Sequence, residues 1–151
     1  MTHLKILFPA LVLIFLSVAS MAQQSRQAES FNVKEHSITV HEAYQLIMQN
    51  TESDDFIILD VRTVDEYAKS HIKNSTNFDF YNEDFLMFLD RLERGYTYLI
   101  YCRSGKRSLN TLKIMHEMGF ENTFNMLGGI SEWIKHEYPL TKSSVDPSQI
   151  N

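Results

Sequence analysis

Two apolar runs in the middle of the chain constrain its fold more than any other feature. Residues 56–59 read Phe-Ile-Ile-Leu, and residues 96–101 are rich in tyrosine, leucine and isoleucine. A short continuous apolar run with β-branched residues is typical of a strand that is buried on both faces of a parallel sheet. Each run is followed by a segment with helical signals. Because strands alternate with helices in this way, the sequence predicts an α/β fold with a largely parallel sheet.

Helix-start signals and further strand candidates complete this pattern. Thr39 with Glu42, and Thr63 with Glu66, have the spacing of a capping box, which predicts that a helix begins after each threonine. Asn82 is the predicted cap of another helix. The other elements are predicted from apolar stretches and helical spacing: strands at 38–40, 74–80 and 123–127, a helix over 82–95, a helix over 108–119, and a helix through Trp133 up to Pro139.

The N-terminal segment differs from the rest of the chain. Lys5 is followed by the apolar run 6–19, and small residues stand at Ser20 and Ala22. This pattern predicts a signal peptide over residues 1–22 that is cleaved after Ala22, so we expect an exported protein, periplasmic or secreted. The alternative is an uncleaved membrane anchor, although the run is shorter than the roughly 20 residues that a spanning helix needs.

The remaining chain is predicted to have three parts. Residues 23–36 are polar and lack periodicity, which is typical of a linker. The regular pattern of strands and helices predicts a folded domain over residues 37–140. Residues 141–151 are expected to form a C-terminal tail.

Charge and composition limit what this chain is expected to bind. The net charge is −5, and loss of residues 1–22 would leave 13 basic against 19 acidic residues, a net charge of −6. A domain this acidic is poorly suited to nucleic acid or to an anionic membrane surface, and we expect no stable membrane association after cleavage. The six histidines lack the spacing of a zinc site, so neither a metal nor another cofactor is expected.

Cys102 is the only cysteine of the chain, so no intrachain disulfide can form. It follows the second apolar run, and ligands of parallel α/β sheets bind beyond the carboxyl ends of the strands. The loop of residues 102–108 reads Cys-Arg-Ser-Gly-Lys-Arg-Ser and leads into a helix. Its N–H groups and the helix N-terminus can converge on one point, and Gly105 allows the backbone to curl tightly.

Three cations, Arg103, Lys106 and Arg107, follow Cys102 within this loop. Cations and helix N-termini lower the pKa of a cysteine from about 8.5 to between about 3.5 and 7.5. A thiolate in such a loop is suited to attack a sulfur or phosphorus centre that carries oxyanions. Two plainer interpretations stay open, namely a small buried apolar side chain for the cysteine and a solvated helix start for the cations.

Four motifs resemble, in their order along the chain, the signatures of the rhodanese homology domain, the thiosulfate sulfurtransferase family. They are Leu-Asp-Val-Arg at 59–62 with Glu66-Tyr67, His71-Ile72 with Asn77, the loop at 102–107, and Leu127-Gly128-Gly129 with Trp133 and Pro139. The resemblance covers roughly residues 37–140. It implies a rhodanese-like fold, in which helices flank both faces of a central, largely parallel five-stranded sheet.

The resemblance also implies a mechanism. Cys102 would take the outer sulfur of a donor such as thiosulfate, and the resulting persulfide would pass this sulfur to a thiophilic acceptor, such as cyanide, an external thiol or a protein. The loop residues that would bind the persulfide and the donor are Arg103, Ser104, Gly105, Lys106 and Arg107. Asp60 and Arg62 are expected to support the loop and the neighbouring helix, with Glu66 as a partner of Arg62.

The chain departs from the family pattern at several positions between residues 70 and 79. Ser70 stands where the family often has glycine, residues 74–75 are Asn-Ser instead of Gly-Ala, and Asp79 replaces a proline. Asparagine tolerates positive φ better than most residues, so we expect the turn to form. We expect these changes to leave activity in place and to affect which partner docks at this loop.

Two other functions stay open. Cysteine-based phosphatases and arsenate reductases have a related loop, but it carries one residue more than the four that separate Cys102 from Arg107. The shorter loop favours sulfur over the larger phosphate. Rhodanese-like domains also act as non-catalytic docking modules, although the inactive copies typically lack the cysteine that this chain retains.

Overall fold

The computed structural model describes residues 31–142, which contain five strands and five helices. The strands are β1 (Ser37–Ile38), β2 (Phe56–Asp60), β3 (Ser75–Asn77), β4 (Thr97–Tyr101) and β5 (Thr123–Met126). The helices are α1 (Val40–Gln49), α2 (Val64–Lys69), α3 (Phe85–Asp90), α4 (Lys106–Glu117) and α5 (Gly129–Lys135). The predicted signal peptide, most of the predicted linker and residues 143–151 lie outside the described residues. None of the helices in the described part combines the length and the hydrophobicity that crossing a membrane requires.

The five strands form one sheet in the order β1-β5-β4-β2-β3, and every neighbouring pair is parallel. The two apolar runs become β2 and β4, which lie side by side with Ile58 opposite Leu99 and Leu59 opposite Ile100. All four of these side chains are buried. The predicted α/β fold with a largely parallel, five-stranded sheet is therefore confirmed.

Helices cover both faces of the sheet, and the side chains of β4 alternate between them. Leu99 and Tyr101 belong to a core cluster that also contains Ala43 of α1 and Trp133 of α5. The alternate residues of β4 point to the opposite face, where α4 packs against β4 and β5. Both faces of the central strand are thus shielded from water, which explains why its sequence is apolar without alternation.

Both predicted capping boxes form. In α1, the N–H of Glu42 donates to the hydroxyl of Thr39, and the N–H of Thr39 donates to the carboxylate of Glu42. In α2, Thr63 and Glu66 exchange the same two hydrogen bonds. These bonds satisfy N–H groups that a helix start otherwise leaves unpaired. Local sequence therefore explains where these two helices begin.

Helix α3 is shorter than the helix predicted over 82–95. Asn82 does not cap it directly; its side-chain oxygen accepts the N–H of Asp84 at 2.8 Å, and its carbonyl accepts the N–H of Phe85 at 3.0 Å. This turn delays the start of the helix. At the other end, the N–H of Leu92 donates to the carbonyl of Leu89 at 3.1 Å, and a tighter turn of this type ends the helix early.

The residues that depart from the family pattern lie before, within and after β3. Asn74 has a φ of 63°, which confirms the expected left-handed conformation. The hydroxyl of Ser75 is buried and donates to the carbonyl of Ile72 at 2.6 Å. The carboxylate of Asp79 accepts the N–H of Tyr81 at 2.9 Å. The polar replacements are therefore used in local hydrogen bonds.

The folded part extends one residue beyond the predicted boundary at 140. Thr141 and His71 exchange two main-chain hydrogen bonds, 2.8 and 2.9 Å long, as an antiparallel bridge. The ring of His71 stacks on Tyr67 of α2, with centroids 3.8 Å apart. The start of the predicted tail is thus tied to the domain beside α2.

Candidate active site

Cys102 lies at the carboxyl edge of the sheet, directly after the central strand β4. The residue is buried, with 1% of its surface exposed. Asp60, the last residue of β2, lies opposite Tyr101 of β4 on one side and opposite Asn77 of β3 on the other. Because these strands are parallel, the segments that follow them meet at one edge, which is where ligands bind in open α/β sheets.

The loop after Cys102 curls around the sulfur atom. The N–H of Gly105 donates to Sγ with an N···S distance of 3.2 Å, and the hydroxyl of Ser108 donates to it with an O···S distance of 3.4 Å. Gly105 has a φ of 90°, which lies in the region that favours glycine, and it immediately precedes α4. This turn places the sulfur at the positive N-terminal end of a 12-residue helix.

These surroundings favour the thiolate form of Cys102. Burial raises the pKa of the thiol, but hydrogen bonds from the hydroxyl of Ser108 and from the N–H groups of Ser108, Ser104 and Gly105 lower it by more. The pKa therefore lies below its ordinary value. The thiolate is the nucleophilic form of a cysteine, so this geometry can support attack by sulfur.

The Gly128-Gly129 pair holds the loop from the side of β5. The N–H of Ile130 donates to the carbonyl of Cys102 at 2.9 Å, and the N–H of Ser131 donates to the carbonyl of Arg103 at 3.1 Å. A Cβ on Gly129 would overlap the carbonyl oxygen of Cys102, so the N-terminus of α5 can approach this closely only because the residue is glycine.

The three cations of the loop have different environments. Arg107 forms a bidentate ion pair with Glu66 of α2, with Nη1···Oε2 and Nη2···Oε1 distances of 2.9 and 3.0 Å. Its guanidinium also lies over the ring of Tyr81, 5.7 Å from the centroid. Arg103 and Lys106 are exposed. One cation is therefore held by a carboxylate, while the other two reach solvent at the mouth of the site.

Comparison with known proteins shows which family this chain belongs to. The family model of the rhodanese-like domain matches residues 39–136. The chain belongs to the rhodanese family. It is 30% identical over 103 residues to the thiosulfate sulfurtransferase GlpE of Haemophilus influenzae (strain PittEE), a match that covers 68% of this chain and 91% of that protein. This similarity supports a sulfurtransferase-like role, and the suggested membership of the family is confirmed.

Two further proteins show the same relationship. Rhodanese-like domain-containing protein 17 of Arabidopsis thaliana is 32% identical over 97 residues, which cover 56% of this chain and 62% of that protein. The crystal structure of a rhodanese-related protein from Thermoplasma volcanium superposes with a TM-score of 0.59 and 27% identity, over 70% of this chain and 97% of that chain. The described fold is therefore the rhodanese fold.

In this rhodanese, Asp60 and Arg62 form a buried pair behind the loop. The Nη2 atom of Arg62 lies 2.6 Å from Oδ2 of Asp60 and 2.7 Å from the carbonyl oxygen of Ser70. The side-chain amide of Asn77 donates to the carbonyls of Asp60 and Arg62. The pair is thus bonded to the end of α2, and its expected role in supporting the reactive loop stays a prediction. The expected pairing of Arg62 with Glu66 is wrong, because Asp60 already satisfies this guanidinium and Glu66 binds Arg107.

Two residues of the site, Ser108 and Gly129, are not among the site residues predicted from the sequence. Ser108 is fully buried and contacts the sulfur, and Gly129 contacts the carbonyl of Cys102. Ser108 is the third residue of α4, a position from which a side chain returns to the helix start, so helical geometry could have indicated it. The approach of Gly129 depends on the order of β4 and β5 in the sheet, which spacing alone does not reveal.

Proposed function

We propose that this rhodanese is a sulfurtransferase that carries a sulfane sulfur on Cys102. The observation that supports it best is the pair of hydrogen bonds from Gly105 and Ser108 to Sγ, because they favour a thiolate at a helix N-terminus. A persulfide would carry its negative charge on the outer sulfur, which other N–H groups of the loop can stabilise. We assign the buried Asp60–Arg62 pair a supporting role with no part in the sulfur chemistry.

The reaction proceeds in two displacements. The Cys102 thiolate attacks the outer sulfur of thiosulfate, the S–S bond of the donor breaks, and the leaving sulfite dianion takes the electron pair. The cysteine persulfide that results keeps one negative charge. An external acceptor, such as cyanide or a thiolate, then attacks the outer sulfur and restores the Cys102 thiolate. No second cysteine exists in the chain, so the acceptor comes from outside.

The loop supplies the binding groups for this reaction. We assign the N–H groups of residues 103–107, which include Ser104 and Gly105, to the persulfide and the transferred sulfur. The exposed cations Arg103 and Lys106 bind the oxyanion part of the donor. Arg107 adds positive charge from the side of α2, where Glu66 holds it.

Steady-state turnover tests this assignment. We expect transfer of sulfur from thiosulfate to cyanide well above background, negligible hydrolysis of p-nitrophenyl phosphate, and loss of the sulfur transfer in Cys102→Ser. The four-residue gap between Cys102 and Arg107 leaves less room than a phosphate needs, which is the reason for the second expectation. Phosphate-ester hydrolysis without sulfur transfer would instead support the phosphatase alternative. A folded protein with neither activity would support a docking module.

We also propose that the protein is exported, because the basic, apolar and small residues of 1–22 follow the order of a signal peptide. N-terminal sequencing of the protein from cells tests this. A mature chain that begins at Gln23 is expected, whereas Met1 retained on membrane-bound protein would support the anchor.

A further inference from the structure

Glu66 has two partners that lie on different helices. Its Oε2 atom accepts the N–H and the hydroxyl of Thr63, each at 3.2 Å, which completes the capping box of α2. The same atom accepts Nη1 of Arg107 in α4, and Oε1 accepts Nη2. One carboxylate therefore joins the start of α2 to the start of the helix that carries the reactive loop.

The other capping box shows that this second partner is not needed for capping. The carboxylate of Glu42 accepts the N–H and the hydroxyl of Thr39, each at 2.8 Å, and within residues 31–142 it forms no hydrogen bond to another residue. The box of α1 thus forms without an arginine. The pairing of Glu66 with Arg107 is an addition to the motif, and it lies beside the sulfur site.

The ion pair changes the charge that a substrate meets. Arg107 directly precedes Ser108 in the first turn of α4, and the hydroxyl of Ser108 donates to Sγ of Cys102 at 3.4 Å. The pKa of Arg107 is raised mainly by its hydrogen bonds to Glu66, and the charge of Cys102 contributes to the same direction. Both Nη groups of Arg107 already point to the oxygens of Glu66. A sulfonate group binds a guanidinium through the same fork. An oxyanion that approaches this edge of the guanidinium must therefore compete with Glu66.

The two remaining cations of the loop are exposed. Arg103 and Lys106 reach solvent, where their attraction for an anion is screened. The loop therefore attracts a dianion less strongly than its three cations in sequence indicate. The penalty imposed by the Glu66 charge doubles when the charge of the ligand doubles.

We propose that Glu66 is a specificity-determining residue, which occupies Arg107 and thereby reduces the preference of the sulfur site for dianionic donors relative to monoanionic ones. The proposal rests on the proposed sulfurtransferase function. It identifies singly charged sulfane donors, such as organic thiosulfonates and persulfides, as the substrate class whose binding the Glu66 charge weakens least. Glu66 acts through Arg107 and does not itself touch the reacting sulfur.

The test compares two donors that differ by one charge, thiosulfate and methanethiosulfonate, in the Glu66→Gln variant. Glutamine keeps the capping geometry and removes the charge. We expect KM for thiosulfate to fall about fivefold and KM for methanethiosulfonate to fall about twofold, with little change in kcat. Glu42→Gln is the matched control, because it alters the same motif away from the loop, and both KM values should stay unchanged.

A binding measurement keeps the test independent of turnover. In the Cys102→Ser background, which cannot accept sulfur, calorimetry should show about fivefold tighter binding of thiosulfate when Glu66→Gln is added. Equal changes for both donors, a rise of both KM values, or the same effect from Glu42→Gln would overturn the proposal. Tighter binding in this background, together with a natural protein that gains no sulfur from either donor, would support the role of Glu66 and reject the sulfurtransferase function.

Discussion

The chain uses the same capping box twice, and the two copies differ in what lies beyond the helix. In α1, the described hydrogen bonds of Glu42 are confined to Thr39. In α2, Glu66 makes the equivalent bonds to Thr63 and also binds Arg107. One box is a helix start, and the other is a helix start that contacts the active-site loop.

The order of the strands explains this difference. Helix α2 follows β2 and helix α4 follows β4, and these two strands are neighbours in the sheet. Because the strands are parallel, the two helices begin at the same edge, where Glu66 can reach Arg107. Helix α1 follows the edge strand β1, which β5 separates from β4. A local motif thus acquires a functional partner from the topology around it.

The largest effect is expected from replacing Arg107, the partner that Glu66 has and Glu42 lacks. In Arg107→Gln, the positive charge next to the reactive loop is gone and the carboxylate of Glu66 is left without its ion-pair partner. We expect kcat/KM for thiosulfate to fall about 30-fold, which corresponds to about 2 kcal/mol. The double variant with Glu66→Gln should recover part of this loss, since the uncompensated charge is then gone. A change of less than about twofold in the single variant would show that the pair does not act on the sulfur.

Removal of the two capping hydroxyl groups should affect stability in both helices but activity in only one. Thr39→Ala and Thr63→Ala should each lower the free energy of unfolding by about 1 kcal/mol, measured with urea. Only Thr63→Ala should also lower kcat/KM for thiosulfate, by about twofold, because Oε2 of Glu66 is then no longer shared with the Thr63 hydroxyl and holds Arg107 more tightly. Equal effects of both variants on activity would contradict the distinction between the two boxes.

The smallest expected effect is on acid stability. The hydrogen bonds of Arg107 lower the pKa of Glu66 to about 2. A pKa below the unfolded value means that this pair stabilises the fold above about pH 4.5, and that the contribution is lost as the pH falls towards 2. Partial exposure keeps the effect small. The difference in unfolding free energy between the natural protein and Glu66→Gln should therefore become smaller as the pH falls from about 4.5 towards 2. A difference that stays constant over this range would contradict the prediction.

Much of the fold could be predicted because its signals are local. The runs that became β2 and β4 are apolar on both faces, and Thr39 and Thr63 satisfy helix N–H groups within their own turns. Helix α3 is present as predicted, but its predicted start is wrong, because a side-chain turn at Asn82 competes with helix formation. Such competition depends on a few hydrogen bonds that periodicity does not register.

The candidate site could be predicted only where it follows the chain. Cys102 and its loop are contiguous, so their position after a strand indicated their chemistry. Glu66 could not be assigned to Arg107 from the sequence, because it is close to Arg62 along the chain and close to Arg107 in space. Spacing along the chain cannot decide between two arginines when neighbouring strands bring both to one edge.

The most direct measurement of the central claim is the mass of the intact protein after incubation with thiosulfate. We expect the full-length or mature chain to gain one sulfur atom, to lose it on addition of cyanide, and to gain none in Cys102→Ser. Folded protein with a free thiol that gains no sulfur, or that gains it equally in Cys102→Ser, would contradict the claim that Cys102 is the sulfur carrier.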